Sequence, residues 1–326
     1  MTLQLDVRGR KVLLRGCNAR TAALAANLLE QGAQVGVDAG RLTNAMTDLL
    51  NRGLISQAEG ANPGEFDLII GVDTRAVLPP QGRGNGGGKV SLVGGGPGAP
   101  GFLTVDGWAA LQTADVVLYD RLAPLATLQD LTATLIDVSK IPRGHSTTQE
   151  AINDLLISEA RRGRHVVRFK GGDPFVFGRG SEEWQACAEA GIPVNVVPGV
   201  SSATAAPGLA GIPVTHRGLT QGFTVVSGHV RPAHPDSLVD WGALARANTT
   251  LVVLMGVATL PAIAATLVEH GMEGDTPAAV IADAGLPSQR VLRAPLDRIA
   301  EVADEAAVAP PAVTVIGRVV GLDLGP

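Results

Sequence analysis

The stretch Arg168–Gly180 reads R-F-K-G-G-D-P-F-V-F-G-R-G. The apolar run that leads into it, His165–Phe169, predicts a strand, and a helical pattern opens at about Ser181. Glycines and a proline between the two predict a tight turn whose backbone can approach a ligand. A plain turn is the alternative, but Phe175 and Phe177 stand where a loop is normally polar. A strand, a glycine turn and a helix in this order predict an α/β fold with a ligand site beyond the strand.

Composition limits the kinds of protein that this chain can be. Its 326 residues are 45% hydrophobic and 17% charged, which suits α/β layers with helices on both sheet faces. A net charge of −5 gives no general attraction to nucleic acid or to anionic membranes. Cys17 and Cys187 lack metal-ligand spacing, so we expect no metal site and a reducing cytoplasm. No signal-like segment and no apolar run of ~18 residues is present, and we expect a soluble protein.

Residues 1–80 carry the pattern of a small βαβ unit. Its predicted elements are a strand within 10–16, a helix over 19–31, and strands over 34–38 and 66–71. An acid, Asp38, ends the second strand, as in dinucleotide-binding folds. The turn after the first strand lacks the second and third glycines of that motif, and Asn18 places a side chain where a pyrophosphate must come close. We expect a degenerate Rossmann-like domain that does not bind NAD.

A glycine-rich segment at 81–88 predicts a flexible linker and the main domain boundary. The pattern then restarts with a strand that ends in a second glycine turn. Gly94, Gly96 and Ala99 formally fit G-x-G-x-x-A, the dinucleotide motif. However, Pro97 and the proline and glycine that follow prevent a helix from starting directly at the turn, as a pyrophosphate site requires.

Two successive α/β halves are predicted after the linker, at 89–210 and 211–326. Further predicted strands lie at 116–119, 135–138, 194–197, 223–226, 250–255, 278–282 and 312–317, and further helices at about 104–113, 149–161, 259–270 and 296–306. Asp120 and Arg121 follow the 116–119 strand directly, so we expect both to point into a crevice at the carboxyl ends of the strands. A solvated turn pair is the alternative.

Cationic side chains gather on the loops of this otherwise acidic chain. They are Arg121, Lys140, Arg143, His145, Arg168, Lys170, Arg179, His216, Arg217 and His229. Scattered solvated charge is the usual explanation of such residues. Most of these lie beside predicted strand ends, which indicates a crevice for a polyanionic small molecule.

Five blocks of the sequence occur in the order of a known family. They are V-S-L-V-G-G-G-P-G at 90–98, Y-D-R-L at 119–122, the block 166–180, V-P-G-V-S-S-A at 197–203 and G-I-P-V-T-H-R at 211–217. Over about 89–320 the chain resembles the tetrapyrrole methylase superfamily, in its uroporphyrinogen-III C-methyltransferase branch. Residues 1–80 resemble a shortened precorrin-2 dehydrogenase module of the kind fused to this enzyme in sirohaem synthases.

The resemblance implies a fold of two α/β subdomains around a cleft and a specific reaction. Members transfer methyl groups from S-adenosylmethionine to C2 and then C7 of uroporphyrinogen III, giving precorrin-1 and then precorrin-2, for sirohaem and cobalamin. S-adenosylhomocysteine is the other product, and neither a metal nor a covalent enzyme intermediate is needed. Superfamily members are homodimers, so we expect a homodimer. The many carboxylates of this tetrapyrrole also account for the cationic loops.

The resemblance also assigns roles to residues of this chain. It implies Asp120 as proton acceptor and Lys140 as proton donor. Cofactor binding is implied for Pro97, Gly171, Gly172, Asp173, Val176, Ser201, Ser202, Met255 and Gly285. Arg121, Arg143, Lys170, Arg179, His216 and Arg217 are expected to bind the substrate carboxylates.

Three other interpretations stay open from the sequence. Another methylase of the superfamily would keep the glycine turns but lack the 171–180 block. A dinucleotide oxidoreductase depends on residues 1–80 and is disfavoured by Asn18. A non-catalytic binding protein is disfavoured by the presence of Asp120 and of the cofactor turns.

Overall fold

The computed structural model describes residues 7–17, 21–40, 42–71, 87–129, 131–139 and 148–324. The chain divides into two compact units, Met1–Gln81 and Gly82–Pro326. Within the described ranges, no helix is both long enough and apolar enough to cross a membrane.

The first unit contains one small parallel sheet. Its elements are β1 (Lys11–Arg15), α1 (Thr21–Glu30), β2 (Gln34–Asp38), α2 (Asn44–Asn51), β3 (Ser56–Gln57) and β4 (Leu68–Gly71). The strand order β3-β2-β1-β4, with every pair parallel, is that of a Rossmann half, which confirms the predicted Rossmann-like region. The pattern did not predict α2 and the two-residue β3, and Asn18 lies outside the described residues.

The second unit begins with a five-stranded parallel sheet. Its elements are β5 (Lys89–Gly94), α3 (Val105–Gln112), β6 (Val116–Tyr119), β7 (Thr134–Asp137), α4 (Gln149–Arg161), β8 (His165–Lys170), α5 (Gly180–Glu189) and β9 (Val194–Val197). The order is β7-β6-β8-β5-β9, so the carboxyl ends of all five strands lie at one edge. Separate apolar clusters cover its two faces, as the hydrophobic strand sequences require.

A second sheet follows with mixed strand directions. Its elements are α6 (Ser202–Leu209), β10 (Phe223–Ser227), α7 (Trp241–Arg246), β11 (Thr250–Leu254), α8 (Leu260–Glu269), β12 (Pro277–Ala282), β13 (Arg290–Pro295), α9 (Ile299–Glu305) and β14 (Ala312–Ile316). The order is β10-β11-β14-β12-β13, and only β10 and β11 run parallel. The pattern did not predict β13, an exposed edge strand that carries Arg290 and Arg293.

Helix α6 connects the two sheets of the second unit. It follows the turn after β9, yet its buried Ala203 and Ala206 share an apolar cluster with Val252 of β11 and Val315 of β14. By its packing, α6 therefore belongs with the second sheet, although the predicted boundary at residue 210 places it in the first half. Its amino end, at Ser201, consequently lies where the two sheets meet.

Candidate active site

Three glycine-containing turns meet at the carboxyl edge of the first sheet. They follow β5, β8 and β9, whose strands are neighbours in that sheet. The Gly95 amide donates to the carbonyl of Lys170 at 2.7 Å, and Gly96 and Gly172 exchange hydrogen bonds of 3.2 and 2.8 Å. Gly96 and Gly172 have φ of 78° and 65°, a region that glycine adopts without strain. The first two turns are therefore joined through their backbones.

Contact with other parts of the protein requires glycine at several of these positions, Gly94 and Gly171 among them. A Cβ on Gly94 would lie 2.6 Å from the Gly172 carbonyl oxygen and from the Gly199 backbone. A Cβ on Gly171 would lie 2.6 Å from Leu122 Cβ and O. The sequence reasoning explained the glycines by close approach to a ligand, but the close approach at Gly171 is to Leu122.

Asp173 joins the turn after β8 to the turn after β9. One of its carboxylate oxygens accepts from the Gly199 amide at 3.0 Å and the other from the Phe175 amide at 2.8 Å. Its role in this geometry is thus to hold two backbone turns. The Ser201 hydroxyl caps α6 by accepting from Ala203 N, and the position that a Cβ on Gly172 would take lies 3.9 Å from Ser202 N.

The second sheet supplies another predicted cofactor residue to the same place. Gly285, with φ 82°, lies so close to the first sheet's turn that its Cβ position would be 3.3 Å from the Pro97 carbonyl oxygen. The Gly285 amide donates to Gln289, whose amide group in turn donates to the Leu209 carbonyl of α6. Pro97, Gly172, Ser202 and Gly285 are therefore brought together in a strip formed mostly of backbone.

The remaining predicted cofactor residues are less closely tied to this strip. Met255 follows β11 in a left-handed conformation, φ 57°, and is half exposed. Val176 is 36% exposed, and its amide donates to the Asp173 carbonyl. A strip of backbone amides and carbonyls with few side chains in front of it suits a flat, polar adenosine-containing ligand. In the described part of the chain, no group of three or more His, Cys, Asp or Glu side chains could hold a metal ion.

Asp120 lies at the same edge of the sheet, directly after β6. Its Oδ1 accepts from the Leu122 amide at 3.1 Å, and its Oδ2 accepts from Arg168 Nη2 at 3.1 Å. The side chain is 26% exposed, whereas that of Arg168 is 5% exposed. Asp120 therefore presents a partly exposed carboxylate at this edge of the sheet and is held from behind by a buried cation.

Lys170 differs from its predicted role in substrate binding. Its side chain is 4% exposed, and Nζ donates to both carboxylate oxygens of the fully buried Glu183, at 3.1 Å each. Burial lowers the pKa of Lys170, as does Arg168, while Glu183 and Asp120 oppose this. A buried ammonium already held by a carboxylate does not reach a substrate in the crevice.

The sequence reasoning did not single out Glu183. The available signal was its spacing: Glu183 shares the buried face of α5 with Gly180 and Cys187, so an acid occupies an otherwise apolar stripe. The adjacent Glu182 is exposed and pairs with Arg179 instead. Glu182 is therefore paired at the surface, whereas Glu183 is paired in the interior.

The other predicted substrate residues are spread over several loops. Arg121 and Arg179 are exposed, in the turns after β6 and β8 of the first sheet. His216 and Arg217 lie in an exposed turn between α6 and β10, where the His216 amide donates to the Thr220 carbonyl at 3.2 Å. Lys140 and Arg143 lie outside the described residues. The described contacts of His216 do not join it to the cluster around Asp120.

Comparisons with known proteins agree on one family. Residues 89–300 match the model of the tetrapyrrole (corrin/porphyrin) methylases. Siroheme synthase 1 of Yersinia pseudotuberculosis is 45% identical over 277 residues, which cover 84% of this chain and 55% of that relative. A match of that length is longer than 89–326, so it extends into the first unit. The chain spans about half the length of the curated relatives that it matches.

Solved structures give the same result. The uroporphyrin-III C-methyl transferase of Thermus thermophilus, complexed with S-adenyl homocysteine, is 40% identical, with a TM-score of 0.62. The likeness covers 72% of this chain and 99% of that one. Fold, site and family model together define the class of protein as a methyltransferase dependent on S-adenosylmethionine. The chain belongs to the tetrapyrrole methylase family.

Proposed function

We propose that this protein methylates uroporphyrinogen III at C2 and then at C7, so that precorrin-1 and then precorrin-2 are formed. The observation that carries the proposal is Asp120, a partly exposed carboxylate on the same sheet edge as the glycine turns. The similarity to a uroporphyrin-III C-methyl transferase over nearly the whole of that chain supports the choice of substrate.

The chain's own residues divide the work between donor and acceptor. Pro97, Gly172, Ser202 and Gly285 would hold S-adenosylmethionine, whose sulfonium supplies an electrophilic methyl group when bound. A pyrrole carbon of the substrate would take this methyl group, and S-adenosylhomocysteine would leave with the electrons of the broken carbon–sulfur bond. Asp120 takes the proton that the methylated macrocycle must then lose. The fixed turns serve to align the two reactants.

The substrate's carboxylates require cations at the rim of the crevice. The exposed Arg121 and Arg179 fit this role, and Arg179 would exchange its exposed partner Glu182 for a substrate carboxylate. We retain Lys140 as the proposed proton donor and Arg143, His216 and Arg217 as further carboxylate contacts. The homodimer, the cytoplasmic location and the absence of nucleic-acid or membrane partners also remain predictions.

Anaerobic incubation of the purified protein with S-adenosylmethionine and uroporphyrinogen III tests the proposal. The product mass should rise by one and then two methyl groups, each replacing a hydrogen. Coproporphyrinogen III, the same macrocycle with fewer carboxylates, is the matched control and should be methylated far more slowly. Binding of S-adenosylmethionine by calorimetry without methylation of either macrocycle would reject the substrate and leave the cofactor assignment standing.

A further inference from the structure

A row of four alternating charges extends from Asp120 into the interior. Arg168 donates to Asp120 Oδ2 from Nη2 at 3.1 Å and to Glu183 Oε1 from Nε at 3.0 Å. Lys170 closes the row by donating from Nζ to both oxygens of Glu183. Two acids and two bases alternate along the row, so its formal charges cancel.

Only one end of this row is accessible to solvent. The side chains of Arg168, Glu183 and Lys170 are 5%, 0% and 4% exposed, against 26% for Asp120. Removing three charged groups from water is costly unless every one of them is paired. The pairing leads to Asp120, the partly exposed end of the row.

The row leaves little rotational freedom to the Asp120 carboxylate. The remaining guanidinium nitrogen of Arg168, Nη1, donates to the Phe169 carbonyl at 3.1 Å, so the fork is fixed on three sides. Asp120 Oδ1 is held independently by the Leu122 amide. Both oxygens of the carboxylate therefore have set positions.

We propose that Arg168 is a positioning residue for Asp120, that Glu183 positions Arg168, and that Lys170 balances the charge of Glu183. The inference depends on the proposed function, in which Asp120 accepts a proton. A general base acts only when it lies in hydrogen-bonding geometry with the proton that it removes. Arg168 supports turnover by fixing that geometry and does not touch the substrate.

A second buried carboxylate in the same subdomain provides a control. Glu159 of α4 is 7% exposed and accepts from Arg162 and Arg164 at 2.6 Å each. Arg164 directly precedes β8, so this cluster lies at the amino edge of the sheet, opposite Asp120. Its arginines are 63% and 42% exposed. Glu159 thus matches Glu183 in burial and in holding two cations, but has no path to the crevice.

The test is a double-mutant cycle of Asp120→Asn and Arg168→Gln, read as kcat and KM for the tetrapyrrole and as Kd for S-adenosylmethionine. Arg168→Gln should lower kcat about 10-fold or more and leave Kd and KM within about 2-fold, the scale of losing a group that orients another. In the Asp120→Asn background the same change should cost almost nothing, because Arg168 acts through Asp120. Independent, additive losses would overturn the inference.

Two further variants remove the risk of misfolding and test Lys170. Arg168→Lys keeps the buried charge but loses the fork, and should still lower kcat at unchanged KM. Glu183→Gln with Lys170→Met keeps the row neutral and leaves an amide oxygen that holds Arg168 less firmly, so kcat should fall less than in Arg168→Gln while KM stays unchanged. A large rise in KM in that double variant would show that Lys170 binds substrate after all.

The control variant, Glu159→Gln, should lose stability while kcat stays unchanged. A fall in kcat as large as that of Arg168→Gln would mean that any damage to a buried ion pair slows turnover, and would overturn the inference. Full activity of Asp120→Asn would instead show that Asp120 is not the proton acceptor. That result would contradict the proposed function itself, and not only the inference about Arg168.

Discussion

The first unit and the first sheet of the second unit both contain an aspartate at a strand end, held in nearly the same way. Asp38 accepts from Arg15 Nε at 3.3 Å and from the Gly60 amide at 3.4 Å. Asp120 accepts from Arg168 and from the Leu122 amide, at 3.1 Å each. In both sheets the arginine comes from the neighbouring strand.

The two pairs differ in the burial of the arginine and in its further partners. The Arg15 side chain is 48% exposed, whereas Arg168 is 5% exposed and is held in turn by Glu183. An exposed ion pair contributes about 0–1 kcal/mol and its partners exchange readily with water. A buried arginine fixed by other groups holds its carboxylate in one place. The aspartate–arginine pair therefore fixes the carboxylate of Asp120 but not that of Asp38, because only Arg168 is buried.

The largest expected effect comes from Asp120→Asn, with Asp38→Asn as its matched control. Asp120→Asn should slow methyl transfer about 10²- to 10⁴-fold, the usual range for loss of a positioned base, with little change in cofactor affinity. Asp38→Asn should leave methyl transfer unchanged. Single-turnover rates and calorimetry measure both. Near-normal turnover of Asp120→Asn would show that this carboxylate only orients its loop.

A smaller effect is expected from alanine substitution of one strand-end glycine in each of the two sheets. Gly94 ends β5 and Gly71 ends β4, each in a parallel sheet. Gly94→Ala brings a methyl group within 2.6 Å of backbone in two cofactor turns, while no atom lies within 4 Å of a Cβ on Gly71. Displacing this backbone in Gly94→Ala should cost about 1–3 kcal/mol. If the cofactor-binding form of the turns bears that cost, the affinity for S-adenosylmethionine falls about 5- to 150-fold.

Calorimetry on Gly94→Ala and Gly71→Ala checks this prediction, and thermal unfolding reports how much of the loss is global. Wild-type affinity in Gly94→Ala would mean that the turns after β5, β8 and β9 do not jointly form the cofactor site. A loss of affinity in Gly71→Ala would contradict the separation of the two regions.

The sequence predicted the parts of this comparison that depend on local pattern. Apolar runs located the ends of β6, β8 and β9, and the helix predicted over about 104–113 is found as α3. Short or polar elements such as β3 and β13 carry too weak a periodicity to be recognised. The different surroundings of Glu182 and Glu183 depend on packing against other strands, and the sequence gives only helical spacing. Lys170 was therefore assigned to the substrate when it lies in the interior.

The smallest expected effect is that of removing the first unit altogether. Residues 1–86 precede the region that matches the methylase family model, and the chain divides into compact units at Gln81 and Gly82. The match covers 72% of this chain and 99% of the Thermus thermophilus structure. That relative therefore folds with little more than the part that corresponds to the second unit. We therefore expect deletion of 1–86 to leave kcat and KM within about 2-fold, less than 0.5 kcal/mol.

The competing hypothesis is that the first unit is a working dehydrogenase, which its strand order alone permits. An NAD ribose would bind the carboxylate of Asp38, but the turn after β1 lacks the second and third glycines that the pyrophosphate requires. We therefore expect full-length protein, given precorrin-2 and NAD, to form no sirohydrochlorin by absorbance. The full-length Asp120→Asn variant separates the two activities, because it should methylate far more slowly but would keep a dehydrogenase intact. NAD-dependent oxidation by that variant, lost again in Asp38→Asn, would give the exposed pair a catalytic role and overturn the contrast between the two aspartates.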